Sequence, residues 1–266
     1  MYLDYWQMKA LPFENVPNPA FFYASSIHEE ALSRLVYAVR QGKGAAMVVG
    51  DIGCGKTMLA QALPSQLPPQ QYRIVQMRNP ALDPLDFLQM VLILFQVPIE
   101  SSHNKARMLY ALENYLRMEQ EKGRYSVLIV DEAQTIKNPD TLDELRMLLN
   151  LQSLSHFLVN LVLLGQKELE ALISLCPPLL QRLSIRFRLG PLSAMDTAKY
   201  IQHRVMVAGA KDVPFTSEAI EKIYQYSQGI PREINNLGDR TLLAAYIRKQ
   251  QFVDGSTVDE AWYDLQ

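Results

Sequence analysis

The run Gly50-Asp51-Ile52-Gly53-Cys54-Gly55-Lys56-Thr57 constrains the fold more than any other stretch of the chain. It matches G-x-x-x-x-G-K-[ST] in full, between an apolar segment, Ala45 to Val49, and a helical pattern, Lys56 to Leu63, that Pro64 stops. Its glycines let the backbone turn so that successive N–H groups and a helix N-terminus face one concave surface, which attracts phosphate. In that reading Gly50, Asp51, Ile52, Gly53, Cys54, Gly55 and Met58 form or flank a nucleotide-phosphate cradle. Lys56 then reaches the β- and γ-phosphates, and the Thr57 hydroxyl is a Mg²⁺ ligand. The alternative is a glycine-rich turn that precedes a helix and binds nothing.

A second apolar strand favours the first reading. Val127-Leu128-Ile129-Val130 delivers Asp131 and Glu132 to a strand end. Asp131 would hold the metal through water, and Glu132 would polarise the attacking water. Asn79 and Gln166 stand after two further strand patterns, where Asn79 could restrain Glu132 and Gln166 could orient the water. Both could equally be amides capping loops. Thr135 is a weaker candidate of the same kind. Among the arginines, Arg182, followed by Arg186 and Arg188, suits donation to a neighbouring subunit. Arg232, in Gly229-Ile230-Pro231-Arg232, suits a lid helix folding over the nucleotide. Ordinary surface ion pairs are the other reading for each.

The rest of the chain alternates short β-rich runs with helical patterns. Strands are predicted at Ala45 to Val49, Tyr72 to Met77, Ser126 to Val130, Phe157 to Leu164 and Ile185 to Leu189. Helices are predicted between them, opened by Ser26 with Glu29 as a capping box, by Asp83-Pro84 and by Asn138-Pro139, with others over 104–122 and 167–175. The expectation is an α/β fold with a five-stranded parallel sheet, since parallel neighbours need such crossovers. From residue 191 onward only helices are predicted, at Ser193 to Ala208, Thr216 to Gln228, Arg232 to Lys249 and Ser256 to Leu265. The division expected is 1–190 as a P-loop α/β core and 191–266 as a small all-helical domain.

With 48% hydrophobic residues and a formal net charge of −2, the chain can bury a large core and has no bulk charge that would attract nucleic acid or anionic lipid. Cys54 and Cys176 are its two cysteines, too few for a disulfide framework, and Cys176 reads as a small buried side chain. The apolar runs Val91 to Val97 and Phe157 to Leu164 fall well short of the ~20 residues of a membrane helix. Met1 to Lys9 lacks the pattern of a signal peptide, so the cytoplasm is expected.

Taken together, the phosphate loop, Asp131-Glu132-Ala133-Gln134, Gln181-Arg182 and Gly229-Ile230-Pro231-Arg232-Glu233-Ile234-Asn235 resemble the AAA+ ATPases of the ExeA/GspA type. The opening, with Leu11-Pro12-Phe13-Glu14-Asn15 and Pro19-Ala20-Phe21-Phe22-Tyr23, is similar to that group's N-terminal signature. The resemblance implies a five-stranded AAA+ core with a helical lid, Gly50 to Thr57 as Walker A, and Asp131 with Glu132 as Walker B. It further implies Arg182 as arginine finger, Arg232 as second sensor and Gln166 at the first sensor, where Asn, Ser or Thr is more usual. Residues near Phe13 and Phe22 would pack the adenine or belong to the core. Longer members continue into a membrane helix and a peptidoglycan-binding module, and this sequence stops at Gln266.

The function implied is hydrolysis of ATP, with Mg²⁺, to assemble or remodel a secretion or type IV pilus-like apparatus. Its partners would be further copies of the chain, as a ring or dimer with ATP at the interfaces, and a protein that could recruit it to the inner membrane. A second reading is an ATP-dependent DNA-binding regulator like the TnsC and TniB transposition ATPases. A third is a nucleotide sensor with the same site and little turnover.

Overall fold

Ala45–Gly50 (β1), Tyr125–Val130 (β3) and Val159–Gly165 (β4) are buried along almost their whole length, which only strands flanked on both sides by other strands and covered on both faces achieve. Tyr72–Met77 (β2) and Leu183–Leu189 (β5) are partly exposed, as edge strands are. All pairings are parallel, in the order β2-β3-β4-β1-β5. The computed structural model describes residues 2–98, 104–153 and 156–264. The expected five-stranded parallel α/β fold is therefore found.

The helices in chain order begin with Ser26–Arg40 (α1), Lys56–Ala62 (α2), Pro84–Phe95 (α3), Lys105–Glu121 (α4) and Pro139–Leu148 (α5). They continue with Glu168–Ser174 (α6), Pro177–Leu180 (α7), Ala194–Val207 (α8), Ser217–Ser227 (α9), Pro231–Ile247 (α10) and Gly255–Tyr263 (α11). Prolines occupy the first turns of α3, α5 and α10, where a missing N–H costs nothing. Asn104, Ser193, Thr216 and Asp254 each accept a backbone N–H at a helix start.

Local expectations fail where neighbouring polar residues compete. Ser26 is not a cap: it lies inside α1 and its hydroxyl donates to Asp196, while the Ser25 hydroxyl meets the His28 ring at 2.7 Å. Asp83 stands at the start of α3 but its side chain makes no capping bond. Pro64 does not end helical structure outright, because Leu63–Gln66 continues as a 3-10 turn. The strand expected from Phe157 begins at Val159, and the one expected from Ile185 begins two residues earlier, at Leu183. The short α7, unforeseen, occupies Pro177–Leu180. Leu265, the expected end of α11, lies outside the described residues.

The described chain divides into two compact units. The sheet unit comprises residues 30–52 and 59–189, and it holds all five strands. Its core includes Met47, Val49, Phe87, Leu92, Phe95, Leu112, Leu128, Leu145 and Leu163, each fully buried. Each such side chain stabilises the fold by about 2 kcal/mol relative to exposure.

The helical unit comprises residues 2–29, 53–58 and 190–264. Its core joins Tyr2, Trp6, Met8 and Phe13 to Ile201, Val205, Leu237, Leu242 and Val258. The Trp6 indole donates to the Leu242 carbonyl at 3.1 Å, and Lys9 N–H donates to the Ala208 carbonyl at 2.7 Å. The N-terminal segment, expected alongside the strands, thus packs with the helices that follow residue 190.

Candidate functional site

In the sheet unit, parallel strands bring their carboxyl ends to one edge, where open α/β sheets bind ligands. The register fixes heights along that edge. Val130 pairs with Leu163, and Leu163 with Met47, so Asp131 stands level with Val48, two strands from β1. Two strand spacings are about 10 Å. Gly50 closes β1 beside β5; a Cβ there would lie 2.5 Å from the Leu189 carbonyl oxygen, so only glycine fits. Asp51 pairs with Lys167 at 2.7 Å, both half-exposed and screened by water.

Asp131 is buried at 2% exposure. Its N–H donates to the Met77 carbonyl at 2.8 Å, and its carboxylate accepts Glu132 N–H at 3.0 Å and the Gln76 amide at 3.4 Å. Glu132 adopts a left-handed conformation, φ 52° and ψ 37°, which costs a non-glycine residue about 1 kcal/mol. The strain is held in place by Thr135, whose N–H and hydroxyl both reach the Glu132 carbonyl at 2.8 Å. The Glu132 carboxylate accepts the Gln134 amide at 2.6 Å, and the Gln134 carbonyl oxygen accepts the Gln166 N–H at 3.0 Å.

The other candidates of this unit fall as follows. Gln166 follows β4, as expected, and is half-buried. Asn79 follows β2, is exposed, and its side chain accepts the Ala81 N–H at 3.4 Å. That is the loop-capping alternative, and Gln134 rather than Asn79 holds Glu132 in this structure. Arg182 is half-buried between α7 and β5 and donates to the Arg146 carbonyl at 3.4 Å. Arg186 donates to the Leu180 carbonyl, and Arg188 pairs with Glu170 at 2.9 Å.

In the helical unit, Gly53 and Gly55 have φ of +83° and +96°, a backbone region that disfavours side chains. A Cβ on Gly53 would stand 2.7 Å from Arg232 Cβ, and one on Gly55 would stand 2.7 Å from His28 Nε2. The turn is pinned from two directions. Arg232 N–H donates to the Gly53 carbonyl at 3.3 Å, and His28 Nε2 meets the Cys54 carbonyl at 2.9 Å. A carbonyl only accepts, so Nε2 carries the proton and Nδ1 accepts from Ser25. Burial pushes the His28 imidazole below its ordinary value of 6.5, against the opposing pull of the Cys54 carbonyl and Asp196. Lys56 and Cys54 are buried, Thr57 and Met58 half-buried, and the Arg232 side chain exposed.

Beside this turn lies a partly open pocket lined by Phe22, His28, Met58, Tyr200, Arg204 and Pro231, among others. Its walls are aromatic and apolar, with a few polar groups, as planar-ring ligands require. Phe22 is therefore at the pocket, but Phe13 is not. Phe13 is buried edge-on to Phe215, at 5.9 Å between ring centres, and against Gly238. Sequence reasoning missed His28, Tyr200 and Arg204, because nothing local marks them. Arg204 donates to the Glu14 carbonyl at 2.8 Å and to the Pro12 carbonyl, and its guanidinium lies 4.9 Å over the Phe21 ring.

Among the described residues no group of three or more His, Cys, Asp or Glu could hold a metal ion, and no helix is long and apolar enough to cross a membrane. Magnesium bound to a nucleotide needs no such cluster, since phosphates and water fill most of its sphere.

Comparison with known proteins agrees with the fold. Residues 39–173 match the family model described as AAA domain. The whole chain is 34% identical to General secretion pathway protein A of Aeromonas hydrophila and spans 48% of that protein, about half its length. The fold is similar to that of the Aeropyrum pernix ORC2 protein in its ADPNP-ADP complexes, with a TM-score of 0.72 and 16% identity over 95% of this chain and 70% of that one. It is also similar to the Thermotoga maritima RuvB Holliday junction branch migration motor, with a TM-score of 0.62 and 19% identity over 92% of this chain and 73% of that one.

Proposed function

The chain belongs to the AAA family, and from that premise we propose that it binds Mg-ATP and hydrolyses it to assemble or remodel a secretion or type IV pilus-like apparatus. The observation that carries the nucleotide part is the loop itself. Its full motif holds two glycines at positive φ, closed in by neighbours that leave no room for a Cβ, with Lys56 buried directly after them. Such a backbone presents N–H groups rather than side chains to its ligand. The secretion part rests on the 34% identity to General secretion pathway protein A, which favours it over a DNA-binding role in transposition.

In this reading Gly50 to Met58 cradle the phosphates and Lys56 supplies positive charge to them. Thr57 and Asp131 are the metal-side residues, Asp131 acting through water. Magnesium would neutralise charge shared between the β- and γ-phosphate oxygens. Glu132 polarises the attacking water, with Gln166 beside it at the end of β4. The pocket with Phe22, His28 and Tyr200 takes the base. Arg232 serves as the lid sensor on the phosphates, and Arg182 is offered to the nucleotide of a neighbouring copy in a ring or dimer. A restraining role for Asn79 requires its bond to Ala81 to open first. The protein acts in the cytoplasm, brought to the inner membrane by its partner.

Calorimetric titration of Mg-ATP and Mg-ADP into the wild type and Lys56→Ala tests the proposal. Wild-type uptake with near-complete loss in the variant is expected; equal uptake by both would sink it. The secretion role is tested by deleting the gene in its host and measuring surface secretin or pilus assembly, which must fall.

A further inference from the structure

We propose that Gln134 is a positioning residue that holds the Glu132 carboxylate and ties it to the end of β4, an inference that rests on Glu132 being the group that polarises water. The Gln134 amide is engaged at both ends. Its Nε2 donates to Glu132 Oε2 at 2.6 Å, and its Oε1 accepts the Gln166 backbone N–H at 3.0 Å. A carboxylate only accepts and a peptide N–H only donates, so this orientation of the amide is the one that satisfies both partners. The bond to the carboxylate is short, as charge-assisted bonds are.

The surroundings are shaped for this side chain. A Cβ at Gly165 would stand 2.8 Å from Gln134 Oε1, so the last residue of β4 must be glycine for the amide to reach Gln166 N–H. Glu132 is fixed at the other end by its left-handed backbone and by the two bonds Thr135 makes to its carbonyl. With Oε2 engaged by Gln134, Oε1 is the oxygen that would be left for the attacking water. Because the amide is planar, a shift of the Gln166 peptide moves the donor on which Glu132 rests. The end of β4 thereby communicates with the carboxylate through a backbone N–H, whatever the Gln166 side chain does.

The test compares Glu132→Gln, Gln134→Leu and Gln134→Glu in the full chain. It reads kcat and KM for Mg-ATP, Mg-ADP affinity by calorimetry, and hydrogen exchange of the Gln166 amide in nucleotide-free protein. Gln134→Leu removes both bonds, so kcat should fall about tenfold, KM and ADP affinity should stay within about twofold, and the Gln166 amide should exchange faster. Gln134→Glu keeps the acceptor but sets a carboxylate against a carboxylate. Its Gln166 amide should stay protected while kcat falls at least as far as in the leucine variant. A residue that merely braced β4 would leave Gln134→Glu at wild-type turnover, and that result overturns the inference, as does unchanged Gln166 exchange in Gln134→Leu. If Glu132→Gln itself turns over normally, the assignment of Glu132 fails and the inference with it; an inactive Glu132→Gln beside fully active Gln134 variants fails the inference alone.

Discussion

Replacing Gly55 by alanine should be costly for two separable reasons, and a double-mutant cycle with His28→Ala distinguishes them. The first is the backbone: φ of +96° is a region in which a Cβ costs about 1–2 kcal/mol. The second is contact, because the new Cβ would lie 2.7 Å from His28 Nε2, closer than a Cβ packs. The ring has little room to retreat. It is 4% exposed and held by bonds of 2.7 Å to Ser25 and 2.9 Å to the Cys54 carbonyl. Displacing it forfeits the Cys54 bond, about 1 kcal/mol, so the total should be about 2–3 kcal/mol. In a His28→Ala background only the backbone cost remains, and the coupling energy should be about 1 kcal/mol or more, above the ~0.5 kcal/mol scatter of independent sites. Urea unfolding followed by tryptophan emission suits the measurement, since Trp6 and Trp262, the two tryptophans of the chain, both belong to the helical unit that holds Gly55 and His28. Additive costs would refute the packing of His28 on the loop; a Gly55→Ala cost below about 0.5 kcal/mol would refute the strained backbone as well.

Three further outcomes are expected. Since burial lowers the His28 pKa below 6.5 in the folded chain, the unfolded chain binds the proton first. The stability that neutral His28 preserves is therefore complete above about pH 6.5 and is lost as pH falls through the folded value. Between pH 7 and 5 the wild-type urea midpoint should drop more steeply than that of His28→Gln, and parallel curves would contradict this. Arg204→Met should cost about 2–3 kcal/mol, because it removes a buried guanidinium from two carbonyls of the N-terminal segment; faster proteolysis within residues 2–20 is the signature, and unchanged digestion kinetics would count against it. Arg182→Ala should cut turnover at least a hundredfold with nucleotide affinity preserved. Mixing it with Lys56→Ala should restore part of the activity if the arginine acts on a neighbour's nucleotide, and no recovery at any ratio would place it elsewhere.

What the sequence disclosed and what it hid follow from the range of the interactions. The phosphate loop is a local device: its glycines, its lysine and the strand before it lie within a dozen residues, so their meaning survives without the fold. The strands were visible for a related reason. Val127 to Val130 and Leu161 to Leu164 must be apolar on both faces to sit inside a covered sheet, and such runs have few other uses. Ends and caps were less legible, because Ser25 and Ser26 are equivalent as letters and only the placement of His28 and Asp196 decides which hydroxyl faces the helix. His28 and Arg204 were invisible as site residues for a stronger version of the same cause. Their partners lie 26 and 190 residues away, at Cys54 and Glu14, and nothing in their own surroundings distinguishes them from an ordinary helix histidine or arginine.

Gln134 falls between these cases. Its place two residues after Glu132 was in plain view, but its role required knowing that Glu132 turns left-handed and that β4 ends beside it in a glycine. Asn79 was the more natural guess for a restraint on Glu132, since it follows the strand next to β3. Geometry reverses the preference: the Asn79 side chain is occupied with its own loop, whereas Gln134 reaches the carboxylate and the next strand at once. An amide that joins a strained acidic residue to a neighbouring strand end can relay a small displacement between them, and that follows from hydrogen-bond directionality alone.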